Sequence, residues 1–537
     1  MKKAFILSLA IIFVSFAGFS QTIDRAKLDA YFNTLFEHNR FMGSVAIAQG
    51  GELIYSKSVG FADVEEGIKT NENTKFRIGS ISKTFTAVLV LKAVEENRLT
   101  LCQTIDKWFP EIENADKITI EHLLSHRSGL YEFITYEWQS SGRHMQPKTE
   151  QEIIEIIKKG ENNFEPGTKM SYNNAGFLLL TFILERIYEK SFSELLKEKI
   201  ANPIGLKNTR LGERINSQNN GCHSYTFLHR NWQRADEADI SQLLGAGGIV
   251  STPTDLVKFS HVLFNGKLLS ENSLQQMKSI QDHCQRAEVA FGMGLMQIPF
   301  HYRIGLGHGG GIDDFRSIFI YFSDGDISIA FSSNGGHFNL RSDDIALVLL
   351  SAVYNKPFEI PQFTTFDIDL NKFVGVYESP QTFWKFTVTN ADNQLFGQFT
   401  GQRSFPLEMT GENKFENRQR NVALEFSPTD STMILRQGGE EFRFTLYNPL
   451  DSFDTSDVDF NQFVGVYASA GMELQLTITN ADNQLFGQAN GQSPFPLRMT
   501  GKNKFELRPA NLILEFNPTD NTMIFRQGDV VLDFERE

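Results

Sequence analysis

An internal repeat near the carboxyl end is the feature that most constrains the fold of this chain. Residues 371–399 read NKFVGVYESPQTFWKFTVTNADNQLFGQF and residues 461–489 read NQFVGVYASAGMELQLTITNADNQLFGQA, at an offset of 90 residues without a gap. Each copy has runs of period-two alternation separated by turn clusters such as NADNQ, a pattern typical of antiparallel strands. Many short strands at regular spacing predict a barrel or sandwich. We therefore expect two all-β antiparallel barrel domains, at 366–448 and 456–537.

Aromatic residues recur in both copies of the repeat, among them Phe373, Tyr377 and Phe463. We expect these residues in the barrel cores, and a carbohydrate-binding face is the alternative. A small barrel can also hold a ligand, but the high identity between the copies is equally expected from a recent duplication.

The chain before the repeat has a different pattern. Helical spacing of apolar residues occurs at 24–40, 82–96, 119–125, 149–159, 174–188, 254–264 and 342–354. Strand patterns flank Gly50-Gly51 and Asp324-Gly325 at the two ends of this region. This order predicts an α/β domain at 21–357, with an antiparallel sheet covered by helices. Residues 356–365 read as a linker, with two prolines and no periodicity.

The first 20 residues have the pattern of a secretory signal peptide. Two lysines precede an apolar run, and Gly18 and Ser20 stand before a cut at Gln21. A membrane anchor is the alternative, but the run is shorter than the ~20 apolar residues of a span. We expect a periplasmic or secreted protein, with no stable membrane span after removal of the signal.

Charge and cysteine content exclude several classes of partner. The net charge of −14 argues against nucleic acid, because phosphate binding depends on basic residues. The three cysteines, Cys102, Cys222 and Cys284, permit at most one disulfide. His122 and His126 have the spacing of a zinc protease motif, but Leu123 stands where that motif needs glutamate. We expect no metal and no cofactor.

The stretch FRIGSISKTF at 76–85 places Lys83 three residues after Ser80. Ser80 precedes an apolar helical run, so one interpretation is a helix N-cap. Residues three apart lie on one helical face, so Lys83 is also placed to activate Ser80 as a nucleophile. A buried lysine has a lowered pKa and can act as a base.

Two further stretches carry chemistry. Tyr172, Asn173 and Asn174 stand between a Pro-Gly turn and an apolar helix, where either asparagine could cap the helix and Tyr172 could simply pack. His308 is followed by the glycines 309–311 at the approach to a strand. Glycines in a strand permit another backbone to come close; a glycine-rich turn with a surface histidine is the alternative.

These three motifs in this order, S-x-x-K, Y-x-N and H-x-G, resemble those of the penicillin-recognising serine hydrolases, over roughly 24–355. IEHLLSHRSGL at 120–130 and GAGGIVSTPTDLVKF at 245–259 are similar to connecting segments of that family. The resemblance implies a β-lactamase-like three-layer sandwich with an antiparallel sheet and a helical region. It also implies catalytic roles for Ser80 as acylated nucleophile, Lys83 as its activator, Tyr172 as acid/base and His308 in place of the family's lysine. Asn174 would bind the substrate carbonyl, and Gly310 and Gly311 would bind substrate too. The backbone N–H groups of Ser80 and Gly311 would form the oxyanion hole.

The chain departs from the family pattern at the third motif. It has no K-T-G, and a histidine attracts a carboxylate less strongly than a lysine does. Arg303 and Arg316 flank the motif and are candidates to supply the missing charge. We therefore expect an exported serine hydrolase that acts through an acyl-enzyme on small-molecule or peptide substrates, cell-wall fragments among them.

The substrate type stays open at this point. D-aminopeptidase, DD-carboxypeptidase and esterase activities all fit, and a β-lactamase or a binding protein with an inert hydrolase domain are the alternatives. The two barrels resemble the lipocalin-like carboxyl-terminal domains of some family members.

Overall fold

The structure is a computed structural model of the chain. It describes residues 23–537 except 230, 281–289, 364–367, 380, 383, 448–454, 456, 470–473, 482–483, 491–493, 508–509, 511 and 529. The described chain divides into two compact units, the first ending at Phe363 and the second running from there to Glu537, with residues 228–231 grouped in the second. The predicted signal peptide and Cys284 lie outside the described residues.

The helices belong to the first unit. They are α1 Arg25–Glu37, α2 Ser82–Glu95, α3 Ile120–Leu124, α4 Tyr136–Ser140, α5 Glu150–Lys159, α6 Asn174–Tyr188, α7 Phe192–Leu196, α8 Asn202–Ile204, α9 Leu244–Gly247, α10 Pro253–Phe264, α11 Glu271–Lys278 and α12 Ser342–Val353. The helices predicted from apolar spacing are all present, and the capping residues explain several boundaries. Thr149 and Ser191, for example, each form a reciprocal capping box at the start of a helix.

The strands before the repeat form one large sheet and two small ones. They are β1 Phe41–Gln49, β2 Glu52–Val59, β3 Phe61–Asp63, β4 Ile68–Lys69, β5 Phe76–Arg77, β6 Arg210–Leu211, β7 Tyr225–Leu228, β8 Asn231–Arg234, β9 Ile249–Ser251, β10 Met296–Phe300, β11 Arg303–Ile312, β12 Phe315–Phe322 and β13 Ile327–Gly336. The large sheet has the order β10-β11-β12-β13-β1-β2, and these neighbours are antiparallel. The predicted sheet with strands from both ends of this region is therefore confirmed.

The two faces of this sheet are covered by different helices. Val45 and Ile47 pack in a cluster with α1 and α12, whereas Ala46 and Ala48 pack with α2, α6 and α10. This division follows from the period-two geometry of a strand, in which alternate side chains point to opposite faces. Helices on both faces of one sheet give the predicted three-layer arrangement.

Each copy of the repeat forms a closed eight-stranded antiparallel barrel. The first barrel consists of β14 Gly375–Glu378, β15 Lys385–Ala391, β16 Gln394–Phe399, β17 Phe405–Gly411, β18 Lys414–Asn417, β19 Val422–Ser427, β20 Thr432–Gln437 and β21 Glu440–Leu446. The second consists of β22 Gly465–Ser469, β23 Gln475–Ala481, β24 Gln484–Ala489, β25 Phe495–Gly501, β26 Lys504–Leu507, β27 Leu512–Asn517, β28 Thr522–Gln527 and β29 Val530–Arg536. Phe373, Tyr377 and Phe463 are buried in the barrel cores, as predicted.

The structure also bears on the predictions about disulfides and membrane spans. Cys102 and Cys222 are free thiols, the first exposed and the second buried. Among the described residues, no helix combines the length and the apolar character needed to cross a bilayer.

Candidate active site

Ser80 lies at the junction between the large sheet and α2. It occupies a 3₁₀ turn, Gly79–Ile81, directly before α2 begins at Ser82. Gly79 has a φ of +54°, and a Cβ there would come within 2.7 Å of the backbone nitrogen of Gly311. Only glycine adopts this backbone without strain while allowing so close an approach. The turn therefore places Ser80 against β11.

The expectation that Ser80 caps α2 is wrong. The N-cap residue is Ile81, and it makes no side-chain capping bond. The hydroxyl of Ser80 is instead engaged by two other side chains: Lys83, at 3.1 Å, and the Tyr172 hydroxyl. The contacts of Ser80 are therefore with side chains of the site and not with the backbone of α2.

Lys83 is fully buried and has three polar neighbours. Its Nζ lies 3.1 Å from Ser80 Oγ, 2.7 Å from Asn174 Oδ1 and 2.7 Å from the carbonyl oxygen of Ala246. The last two atoms can only accept, so they take two N–H bonds from the amine. In the neutral amine, the remaining position is a lone pair that faces the Ser80 hydroxyl. This is the geometry a general base needs.

The environment of Lys83 favours its neutral form. Burial lowers the pKa of Lys83 to about 7, and the nearby carboxylate of Glu132 acts in the opposite direction. A lysine with a pKa near neutrality is deprotonated in an appreciable fraction of molecules at pH 7, unlike an exposed lysine.

Tyr172 packs over the same site. Its ring stands 4.5 Å, centroid to centroid, from the ring of His126, and Lys83 Nζ lies 4.8 Å from the Tyr172 centroid. Burial raises the pKa of Tyr172, and the hydrogen bond with Ser80 opposes that rise. The phenol therefore keeps its proton near neutral pH and can supply it as an acid.

The two asparagines of the second motif have different contacts. Asn173 is the N-cap of α6: its Oδ1 accepts from the Gly176 N–H at 2.7 Å, so the capping interpretation is confirmed for this residue. Its backbone N–H donates to Nδ1 of His126 at 3.1 Å. The Oδ1 of Asn174, in contrast, accepts a hydrogen bond from Lys83. His126, set aside as a metal ligand, thus supports the segment that carries Tyr172.

Glu132 is a site residue that the sequence motifs did not identify. Its carboxylate accepts hydrogen bonds from the backbone N–H groups of Asn174 and, at 2.8 Å, Ile134. Burial raises the pKa of Glu132, while these N–H groups and the charge of Lys83 oppose the rise. Glu132 belongs to no periodic pattern, and the only signal in the sequence is that it follows the segment 120–130 closely.

The third motif forms the part of β11 that faces the Ser80 turn. A Cβ on Gly310 would lie 1.9 Å from the Ile78 carbonyl oxygen and 3.0 Å from the Ser80 nitrogen, so glycine is required there. β10 pairs with Arg303–Gly307 of β11 but not with the residues beyond. In the described chain, no strand covers this edge of His308–Ile312, so it is open to an extended substrate.

His308 is buried and neutral. Burial lowers its pKa to about 3, and the nearby Lys83 charge acts in the same direction. Its Nδ1 lies 2.5 Å from the carbonyl oxygen of Gly309. Since a carbonyl oxygen only accepts, Nδ1 carries the proton and Nε2 is an acceptor. No described residue pairs with Nε2.

The two candidate arginines are placed differently. Arg303 lies at the far end of β11, where it pairs with Asp324 at 2.7 Å and stacks on Tyr354. Arg316 lies opposite Gly311 in the β11–β12 register. Only Arg316 is therefore near the third motif.

Comparison with known proteins identifies the family of this chain. The Beta-lactamase family profile matches residues 28–353, more than half of the chain. The chain belongs to the Beta-lactamase family. The resemblance to penicillin-recognising serine hydrolases is confirmed, and the protein is a serine hydrolase with a β-lactamase-like domain followed by two barrels.

The chain is also similar to two named proteins. Penicillin-binding protein 4* of Bacillus subtilis (strain 168) is 25% identical over 443 residues, which is 78% of this chain and 98% of that protein. The teichoic acid D-alanine hydrolase of Staphylococcus aureus (strain MRSA252) is 28% identical over 279 residues, 52% of this chain. That match spans 64% of the hydrolase, slightly less than two thirds of its length.

Solved structures show the same domain. The D-amino acid amidase from Ochrobactrum anthropi SV3, complexed with L-phenylalanine, is 27% identical with a TM-score of 0.54, covering 62% of this chain and 99% of its own. The octameric penicillin-binding protein homologue from Pyrococcus abyssi has a TM-score of 0.57 at 20% identity, covering 87% of this chain and 98% of its own. The second likeness concerns the fold alone.

Proposed function

We propose that this serine hydrolase releases D-amino acids from their amides or esters through an acyl-enzyme at Ser80. The observation that carries the proposal is the hydrogen bonding of Lys83, whose two acceptors leave its lone pair facing the Ser80 hydroxyl. A serine needs such an adjacent base to become a nucleophile.

Acylation assigns a role to each polar group around Ser80. Lys83 takes the Ser80 proton as Oγ forms a bond to the substrate carbonyl carbon. The backbone N–H groups of Ser80 and Gly311 bind the resulting oxyanion. When the bond to the leaving nitrogen or oxygen breaks, that atom takes a proton from Tyr172. The proton held by Lys83 then restores the Tyr172 hydroxyl.

Deacylation runs through the same groups in reverse. A water attacks the acyl carbon and gives a proton through Tyr172 to Lys83. Ser80 Oγ leaves the acyl carbon and recovers its proton from Lys83. Asn174 is a positioning residue in this scheme, since its Oδ1 fixes the direction of the Lys83 amine.

The preference for D-aminoacyl substrates is argued from His308. A neutral imidazole supplies no positive charge to attract a carboxylate, unlike a lysine at the same position. This argues against β-lactams and peptides with a free carboxyl end as the preferred substrates. The names of two relatives, a D-amino acid amidase and a teichoic acid D-alanine hydrolase, agree with this preference.

The test is an activity panel with purified protein. We expect hydrolysis of D-alanine p-nitroanilide and a D-alanine ester, with the L-enantiomers, nitrocefin and D-Ala-D-Ala peptides turned over more slowly. Labelling by a fluorophosphonate probe should disappear in Ser80→Ala. Nitrocefin as the best substrate would instead identify a β-lactamase, and equal labelling of Ser80→Ala would contradict the acyl-enzyme.

We also propose that the protein is exported, with residues 1–20 as the signal. Support comes from the sequence alone, in the lysines, apolar run and small residues before Gln21. When residues 1–22 are fused to a reporter enzyme that is active only outside the cytoplasm, we expect to measure reporter activity. Retention of the reporter in the cytoplasm would contradict export.

A further inference from the structure

The second barrel contains an apolar cavity of about 580 Å³. Its lining includes Leu474, Leu476, Ala489, Leu507 and Ala510, and among the described residues that line it Gln527 has the one polar side chain. Ligand pockets in proteins have volumes of about 300–1,000 Å³, so this cavity is large enough for a small molecule. It lies outside the residues that match the Beta-lactamase family.

The first barrel has larger side chains at several of the positions that line this cavity. At the offset of 90, the positions of Leu474, Ala489 and Ala510 are held by Trp384, Phe399 and Arg420. Trp384 packs on Phe399 with ring centroids 5.0 Å apart, and Arg420 stands over Phe405 at 4.9 Å. Bulky side chains therefore occupy, in the first barrel, the positions whose counterparts line the cavity in the second.

At the positions that line the cavity, the two copies differ in the size and polarity of their side chains. Leu476 replaces Phe386, a further reduction, and Leu507 replaces the polar Asn417. Four lining positions carry larger side chains in the second barrel, but each addition is smaller than the loss of the Phe399 ring at Ala489. These positions are Pro494, Leu507, Leu512 and Phe525, which replace Ser404, Asn417, Val422 and Leu435. Strand bounds agree at the 90-residue offset in seven of the eight strands, and β22 is one residue longer than β14. The register agrees in the strand pairs that carry most of the lining. The second barrel has thus kept its fold while losing the side chains that fill the first.

We propose that the second barrel is a binding site for a single-chain amphiphile, with its acyl chain in the cavity and its polar end near Gln527. An apolar lining offers no partner for a buried charge, so the enclosed part of the ligand is neutral. Gln527 is exposed, and its Nε2 donates to the Ala510 carbonyl oxygen at 3.0 Å, while its Oε1 has no hydrogen-bond donor among the described residues. The acyl chain could come from a free fatty acid or from a lipid.

The test uses the full-length protein and cis-parinaric acid, whose fluorescence rises when its chain is buried. Saturable one-to-one binding is expected for the wild type. Ala489→Phe restores the residue of the first barrel, so it should fill the cavity and weaken binding by about tenfold or more. Leu474→Trp should do the same, and provides a second variant if the first does not fold.

Ala481→Phe is the matched control, because Ala481 is exposed on the same barrel and does not line the cavity. It should leave binding within about twofold of the wild type. Displacement of the probe by palmitic acid but not by palmitoyl lysophosphatidylcholine assigns the free acid as ligand source, and displacement by both assigns the chain itself. Absence of saturable binding in the wild type, or binding by both filled variants that is as tight as that of the wild type, overturns the proposal.

Discussion

At the scale of single residues, the site depends on how charge is shared around Lys83. Lys83 is buried and tends to lose its proton, while Glu132 provides the negative charge that opposes this loss. Motifs identify Lys83 directly, because the serine and lysine are neighbours in sequence. Glu132 could not be found in that way, since it reaches the site only through the contact of its loop with the start of α6.

Replacing Glu132 should move the pH dependence of the reaction. Activity needs neutral Lys83, so kcat/KM should rise with pH through the pKa of Lys83, about 7. Glu132→Gln removes the anion that favours the charged lysine, so the pKa falls further. We expect the acid limb of the pH–rate profile to shift to lower pH by about one pH unit. Glu165→Gln, at an exposed ion pair with Lys117, is the control. An acid limb that keeps its position or shifts to higher pH would contradict the interaction between Glu132 and Lys83.

Replacing His308 should change substrate preference. His308→Lys places a cation where the neutral imidazole stands. The ratio of kcat/KM for a D-Ala-D-Ala peptide to that for D-alanine p-nitroanilide should rise about tenfold, equivalent to about 1.4 kcal/mol. His308→Gln keeps the position neutral and should not raise the ratio. Equal ratios in all three proteins would show that this side chain does not select for a carboxylate.

At the scale of elements, the site is made by the approach of β11 to the Ser80 turn. Period-two and 3.6-residue spacing predicted most of these elements, because each pattern reports which face of an element is buried. Spacing could not predict that the turn would lie against Gly310 and Gly311, since that contact joins segments more than 200 residues apart.

Substitutions at two neighbouring glycines test whether β11 lies in contact with the Ser80 turn. Gly310→Ala adds a Cβ that would lie 1.9 Å from the Ile78 carbonyl oxygen, so β11 and the turn must separate. A misplacement of about 1 Å costs about 100-fold in rate, and we expect a loss of kcat of that order. Gly309→Ala is the matched control, because the nearest atom to its Cβ is 3.9 Å away. Equal activity of both variants would contradict the contact.

At the scale of the whole molecule, the hydrolase core joins the helical layer to the sheet. Phe259 on α10 stacks on Phe85 of α2 with centroids 3.9 Å apart, and also contacts Phe319 of β12 at 6.1 Å. All three side chains are fully buried. The Ser80 turn sits between the same two layers, so the core that stabilises the domain also fixes the nucleophile.

Truncating Phe259 should therefore destabilise the hydrolase unit strongly. Phe259→Ala leaves a cavity at this junction and should lower the free energy of unfolding by about 3–5 kcal/mol. Leu347→Ala, at a side chain that is 53% exposed on α12, should change it by less than about 0.5 kcal/mol. Urea unfolding followed by circular dichroism measures both. Similar midpoints for the two variants would contradict a shared core.

The sequence by itself determined the order of the parts and predicted which groups react. The 90-residue repeat predicted two barrels, and three motifs predicted Ser80, Lys83, Tyr172 and His308, because chemistry and periodicity are local properties of a chain. Tertiary structure alone decided that Lys83 is poised to accept a proton, that His308 is neutral, that Glu132 joins the site and that the second barrel contains a cavity. These properties depend on burial and on distances between remote segments, which no local pattern records.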